Sequence, residues 1–529
     1  MLMKRSILLI TSALVLHFMC FPEKTDVNGR DTKVVKGIVF HDLSGSGSYD
    51  PESDKPLKGI AVSNGREVTV TDRYGKYKLP LRDNSAIFVI KPRNWTVLLD
   101  KRKLHRFYYM HSTTGTSGND YRGLPPTGPL TGPVNFPLYP SDEPDSFKVL
   151  VFGDTQPRNE QEIYYLCYDA LSELWGVDAA FGVTLGDVVF DNLDLFDHLT
   201  ESIATVGIPW RYVLGNHDID FSGNSNHDAR GAWYRTFGPS YYSFSYGPAH
   251  FIVLDNIRWI VEENRSYYMT GLGEDQMEFL RNEFGRVDRD QLVVLLVHIP
   301  WTGSTAWQIE SEQQEFYDLL AGHPKSVSLV AHTHRHYHHL IGREEGFPGD
   351  VPHHMVSVGT VGGAWWSGAP DEYGIPHSMM PDGTPTSYTF LHIYGNDWKM
   401  SWRASRRPAG FQMHIAAPDV IEAQQHVSVT VKANIFNALP LAEVEVRIGE
   451  GEWLRMVRTS KHDPVRLAVE EREKELGEVP WRNLGRSSVS EHIWFVETEV
   501  LLDPGVYPIE IRAADDWWEY EGRRLLHVK

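Results

Sequence analysis

The chain has 529 residues, more than one hydrophobic core organises, since single cores stop growing near ~250–300 residues and longer chains split into domains. A formal charge of −19 excludes a nucleic-acid coat, whose non-specific binding needs clustered Lys and Arg, and 41% apolar with 12% aromatic residues excludes a largely disordered chain. The acidic total does not exclude a phosphate substrate, because a phosphoryl group answers to the charges around it more than to distant surface charge.

Residues 1–22 place Lys4 and Arg5 ahead of an apolar run from Ile7 to Met19, too short for a spanning helix and arranged as an export signal. Cys20 closes the run where a lipid-attachment cysteine would stand, while His17, Phe18 and Met19 depart from the small residues such a site favours. The expected location is therefore periplasmic, cell-surface or secreted, with or without a lipid anchor. No second apolar stretch is long enough to span a bilayer, and beyond Cys20 only Cys167 remains, so no intrachain disulfide is expected.

Residues 33–110 give short strands between turns, "VVKGIVFHD", "KGIAVSNG", "EVTVTDRYGKYKLPL" and "AIFVIKP", and read as a small β-sandwich. Its layout resembles the sandwich repeats of bacterial surface adhesins and the regulatory domains of carboxypeptidases. In such adhesin repeats the loop "DLSGSGSYD" would bind calcium through Asp42, Ser44, Ser46 and Asp50; the plainer reading is a polar Gly/Ser hairpin. Residues 111–146 fill with Gly, Pro and Thr, lose periodicity, and read as a linker.

From residue 147 the pattern changes to apolar runs with polar ends: "KVLVFGDTQ", "AAFGVTLGD", "RYVLGNHD", "LVVLLVH" and "SVSLVAHTH". Each reads as a buried strand. Between the first two, Ile163, Leu166, Cys167, Leu171 and Leu174 share one face of a helix expected over 160–175, giving strand, helix, strand order. In layered α/β folds ligands gather outside the carboxyl ends of strands, which is where Asp154, Gln156, Asp187, Asn216, His217, Asp218, His298, His332 and His334 all fall. Mixed oxygen and imidazole donors suit Mn, Fe or Zn. An extended His332-x-His334 would aim both rings to one side. His336, His338 and His339 continue the tract and, with His353 and His354, read as solvated or outer histidines.

Taken in order, GDTQ, GDVVFD, GNHD, VHIP and AHTH resemble the signature of the calcineurin-like metallophosphoesterases, over about residues 147 to 395. The flanking pieces look like the domains that accompany one bacterial branch of that family. The resemblance implies a central layered β-sandwich flanked by helices at 147–398, with β-sandwich domains at both ends. It also implies that Asp154, Gln156 and His334 hold one metal ion, that Asn216, His298 and His332 hold a second, and that Asp187 bridges them. His217 would stabilise the transition state or protonate the leaving oxygen, with Asp218 orienting it. The implied activity is hydrolysis of a phosphodiester or phosphomonoester, leaning to the diester, by hydroxide formed between two divalent or trivalent ions. Gln156 stands where the family usually has histidine, and its harder, weaker amide oxygen shifts preference towards Mn or Mg-like ions. Were Gln156 not a ligand, the alternative is a weak or inactive relative acting as a cell-surface binding protein.

After the last metal block, "VSVGTVGGAWWSG" and "PDGTPTSY" return to the same sheet edge. Gly363 allows close backbone approach, and Trp365 and Trp366 either wall a site for a base, sugar or lipid head group or split between core and surface. The substrate expected is a phosphorylated small molecule, lipid or glycan. Residues 399–529 return to strands and read as an immunoglobulin-like sandwich, interrupted by the charged insert "LAVEEREKELGEVPWRNLG", a solvated helix or loop on this reading.

Overall fold

The computed structural model describes residues 33–117, 120–263, 265–303, 310–423 and 426–529; the export-signal and Cys20 readings lie outside them. Among the described residues no helix is long and apolar enough to cross a membrane.

Two mixed sheets face each other at the centre. In the first, strands Ser146–Phe152, Phe181–Thr184 and Trp210–Tyr212 run parallel, and Ser387–Tyr394 and Asp397–Ala404 complete it antiparallel. In the second, Ala249–Val253, Val293–Leu296, Ser326–Val330 and His353–Ser357 run parallel between antiparallel edges Tyr242–Tyr246 and Tyr337–Ile341. The apolar runs are continuous because both faces are covered. Val149 and Val151 point into the core shared with Phe251 and Val253, whereas Leu150 and Phe152 point the other way, to Ile163, Leu166, Leu199 and Ile203 of the helices Glu160–Asp169 and Phe196–Ala204. The first helix starts at Asn159, whose side chain accepts from Glu162 N, and gives way after Asp169 to a tighter 3-10 turn, Leu171–Leu174, so it is shorter than the periodicity suggests.

The first central sheet extends past residue 398, where the last domain was expected to begin. Gly395 and Asn396 form a two-residue turn, with Gly395 at φ 62°, that folds Asp397–Ala404 back on Ser387–Tyr394. The Gly/Pro-rich stretch read as a linker likewise contains a strand: Phe136–Pro140 runs parallel to Val34–His41 and buries Phe136 and Leu138 in the N-terminal sandwich. Its two prolines hid the alternation. That sandwich shares one core with the catalytic domain, where Phe88 meets Phe279 and Lys91 Nζ, almost fully buried, donates to Glu143 Oε1 and Ser245 O, both at 2.6 Å.

The loop considered for calcium is closed by its own donors. Asp42 accepts from the backbone N–H of Gly45, Ser46 and Gly47 and from the hydroxyls of Ser44 and Tyr139. Burial raises the Asp42 pKa, but these donors outweigh it and hold it down at about 2. Asp50 is likewise engaged by Glu52 N and Ser53 Oγ. Carboxylates surrounded by N–H and O–H protons suit a tight polar turn, not a cation, and the calcium reading is set aside.

The C-terminal part is a sandwich of a four-stranded and a five-stranded sheet around Val429, Val431, Val444, Val446, Ile509 and Ile511. Its charged insert holds a helix, Pro464–Glu475, with Asp463 as N-cap and Pro464 at the first turn.

Candidate metal centre

The turns after the parallel strands carry unusual backbone. Gln156 (φ 43°), Asp187 (46°), Asp191 (60°), His332 (65°), His334 (50°) and Trp365 (57°) are all left-handed without being glycine. Each such residue costs on the order of 1–3 kcal/mol and persists only where its surroundings over-determine it. His332 and His334 therefore converge through a bend beyond Val330, and the extended geometry expected for the HxH pair is not what brings them together. Glycine is required at Gly215, where a Cβ would fall 2.0 Å from Asp187 N.

These turns gather the predicted residues into one cluster. His298 Nδ1 donates to Leu185 O at 2.8 Å, which turns Nε2 towards Asn216 Oδ1 (3.1 Å), Asp187 Oδ1 (3.2 Å) and His332 Nδ1 (3.3 Å). His334 Nδ1 donates to Gly363 O at 2.5 Å, leaving Nε2 3.8 Å from Asp154 Oδ2. Gln156 Nε2 donates to Asp187 Oδ2 at 2.7 Å. Candidate donor atoms of Asp187, His298 and His332 all lie within 4.8 Å of one another.

Two oxygens in this cluster lack partners: Asp154 Oδ2 and Gln156 Oε1 are buried and accept no hydrogen bond. A buried acceptor left unmade costs ~1–3 kcal/mol or more, so Asp154 Oδ2 beside His334, and Gln156 Oε1 on an amide bonded to Asp187, suit a cation. Burial pushes Asp154 up to about 7 and presses His332 and His334 down to about 3 and 4, which leaves both imidazoles neutral and able to ligate at physiological pH. Burial opposes ionisation of Asp187 and His298 too, yet their mutual attraction wins: Asp187 stays below the usual carboxylate range and His298 rises to about 9. The donor set of two carboxylates, two amides and three imidazoles suits divalent metal ions.

His217 stands at the rim. Its Nδ1 lies 2.6 Å from Asp191 Oδ1, and its ring stacks on Phe190 with centroids 4.4 Å apart. Burial lowers its pKa, but the Asp191 hydrogen bond and the Asp187 charge carry it above the usual histidine value. Asp218 does not orient this ring. Its fully buried carboxylate accepts from Val188 N, Val189 N and Gly215 N, tying together the two turns that carry Asp187 and Asn216. Chain neighbours point apart, and Asp191, the last residue of the GDVVFD block, takes the role expected of Asp218.

The tryptophan pair splits. Trp365 stacks on His334 at 4.0 Å and stays partly open, while Trp366 is buried and donates to Thr155 O, so Trp366 belongs to the core and not to a substrate wall. Gly363 acts through its carbonyl on His334; a Cβ there would meet Ser378 O at 2.0 Å. Arg158, absent from the sequence reading, donates from Nη1 to Trp365 O (2.8 Å) and Glu162 Oε1 (3.2 Å) and lies over the Phe190 ring at 4.5 Å.

Three of the other histidines read as solvated or outer, His336, His338 and His353, are buried. His336 Nε2 and His338 Nε2 converge on Asn437 Oδ1 at 3.0 and 3.2 Å across the seam with the C-terminal sandwich, and His353 bonds Ser328 Oγ at 2.8 Å. His339, paired with Glu345, and His354, stacked on Trp517, are half-buried. The charged insert is not a free solvated element either. Glu473 Oε1 accepts from Ala369 N (2.7 Å), Arg482 O accepts from Gly368 N (2.8 Å), and Ser488 N donates to Pro381 O (2.8 Å), so the insert braces the segment that carries Gly363 and Trp365.

Three family models match the chain: "N terminal of Calcineurin-like phosphoesterase" over residues 44–123, "Calcineurin-like phosphoesterase" over 147–336 and "C terminal of Calcineurin-like phosphoesterase" over 356–520. Among solved structures, a purple acid phosphatase from yellow lupin (Lupinus luteus) seeds is 14% identical over 65% of this chain and 66% of its own, with a TM-score of 0.34. An endo-β-1,4-mannanase from Thermotoga petrophila is 10% identical over 70% of this chain and 71% of its own, at 0.14. Structural similarities this low add nothing to the site. No curated protein matches the chain.

Proposed function

Because the chain belongs to the calcineurin-like phosphoesterases, we propose that it is an exported phosphoric ester hydrolase that works with two metal ions and takes phosphodiesters in preference to monoesters. The observation that carries this reading is the pair of unpartnered buried oxygens, Asp154 Oδ2 and Gln156 Oε1, beside neutral imidazoles and an ionised Asp187. Asp154, Gln156 and His334 would hold one ion, Asn216, His298 and His332 the other, with Asp187 between them. Bound there, the ions would supply an acidified water and a positive clamp for the phosphoryl oxygens.

The chain's own groups do the rest. His217, protonated more readily than an ordinary histidine, holds its proton on the side away from Asp191 and delivers it to the leaving ester oxygen. Phe190 fixes the plane of that ring, and Trp365 does the same for His334. Export rests on the Lys4, Arg5 and Ile7–Met19 pattern, and N-terminal sequencing of the mature protein checks it.

The test is to load purified protein with Mn and compare a bis-aryl phosphate with a mono-aryl phosphate, using Asp187→Asn as the blank. Faster diester loss supports the proposal; monoester preference makes the chain a phosphatase; neither above the blank moves it to the binding-protein alternative.

A further inference from the structure

The insert of the C-terminal sandwich places Arg482 against the segment that follows Trp365. Its carbonyl is fixed to Gly368 N at 2.8 Å, three residues beyond Trp365, whose own carbonyl receives Arg158 Nη1 at 2.8 Å. The two arginines therefore hang from the two ends of one four-residue turn. Arg482 is exposed, and among the described residues its side chain makes no ion pair or hydrogen bond. Arg158 is held by Glu162, by Trp365 O and by the Phe190 face, and among the described residues its Nη2 nitrogen has no hydrogen-bond partner. Two cations on one rim, one of them without a carboxylate, suit an anion supplied from outside.

We propose that Arg158 and Arg482 form a clamp for a second phosphate group of the substrate, one that is not hydrolysed and lies beyond the ester cleaved at the metal centre. The placement follows from the wall they share: Arg158 covers Phe190, Phe190 stacks on His217, Trp365 stacks on His334, and the turn from Trp365 to Gly368 joins Arg158 to the Arg482 backbone. The C-terminal domain thereby contributes specificity as well as bracing. The bracing uses the Arg482 carbonyl and the Glu473 carboxylate, so the Arg482 side chain is removable without loosening the turn.

This inference rests on the phosphoesterase reading, and the test separates the two. The probes are p-nitrophenyl glyceryl phosphate with either a hydroxyl or a phosphate on its terminal carbon, assayed with Mn-loaded wild type, Arg482→Ala and Arg482→Glu. Wild type should show KM at least about tenfold lower for the phosphorylated probe, as one charge-assisted contact provides. Arg482→Ala should abolish that preference and leave the hydroxyl probe unchanged, and Arg482→Glu should invert it. Equal kinetics of wild type on both probes, or equal losses on both in Arg482→Ala, would overturn the clamp. If wild type hydrolyses neither probe above the Asp187→Asn blank, the phosphoesterase reading fails, and calorimetric binding of the phosphorylated probe judges the clamp alone: weakening of about tenfold in Arg482→Ala supports it, and unchanged binding refutes it.

Discussion

Replacing Asp191 by Asn isolates the partner of His217 without touching any candidate metal ligand. The carboxylate lies 2.6 Å from His217 Nδ1, and a hydrogen bond to a charged group contributes ~1.5–3 kcal/mol, or about 10- to 150-fold in rate. Asp191 is 41% exposed, so water screens the pair and the lower end applies: about a tenfold loss in kcat. The loss should depend on the leaving group, because a nitrophenolate departs without help whereas an alkoxide needs a proton. The assay is kcat against pH for a nitrophenyl and an alkyl ester, with metal content measured in parallel. Asp191→Asn should slow the alkyl ester by about tenfold, spare the nitrophenyl ester, and move the basic limb to lower pH, since the hydrogen bond that lifts the His217 pKa is gone. An equal loss on both esters with an unmoved pH profile would refute the proton-donor role of His217.

Gly363→Ala should cost ~2–4 kcal/mol by urea denaturation, because its Cβ would press on Ser378 O at a left-handed φ of 55°, and metal content should fall as His334 loses its carbonyl partner. Lys91→Met should lower stability by ~3–5 kcal/mol by leaving the buried Glu143 charge without its cation, held only by Asn94 N and Gly247 N, and adding Glu143→Gln should recover part of it. Burial and the neighbouring His354 hold His353 down at about 3, against ~6.5 unfolded, so the unfolded chain binds the extra proton between these values. Its contribution is complete above pH ~6.5 and is lost as pH falls towards about 3; His353→Gln should lower the stability slope in that window by ~1.4 kcal/mol per pH unit, measured by denaturation of metal-free protein.

What the sequence made legible is what two-sided burial writes into it. Apolar runs such as Val293–Leu296 have no solvent face, and the polar residues that end them, Asp154, Asp187, Asn216 and His298, had to share one edge of the sheets. Less legible were features set by backbone turns. Asp191 reaches His217 through a left-handed residue 26 positions upstream, so adjacency favoured Asp218, which points into the backbone instead. Histidine density suggested solvent, yet His336 and His338 are neutral groups sharing one asparagine oxygen inside a domain seam. The charged insert misled for a similar reason: Glu473 and the Arg482 carbonyl spend their polarity on backbone N–H groups of another domain, which composition does not register.

The account turns on a two-ion centre built around Asp187. The most direct measurement is to titrate metal-free protein with Mn while following bound metal and bis-aryl phosphate hydrolysis together, in wild type and Asp187→Asn. Two ions per wild-type chain, with turnover appearing only as the second binds and absent in Asp187→Asn, is the predicted result. Full turnover with one ion, or equal turnover in Asp187→Asn, would contradict it.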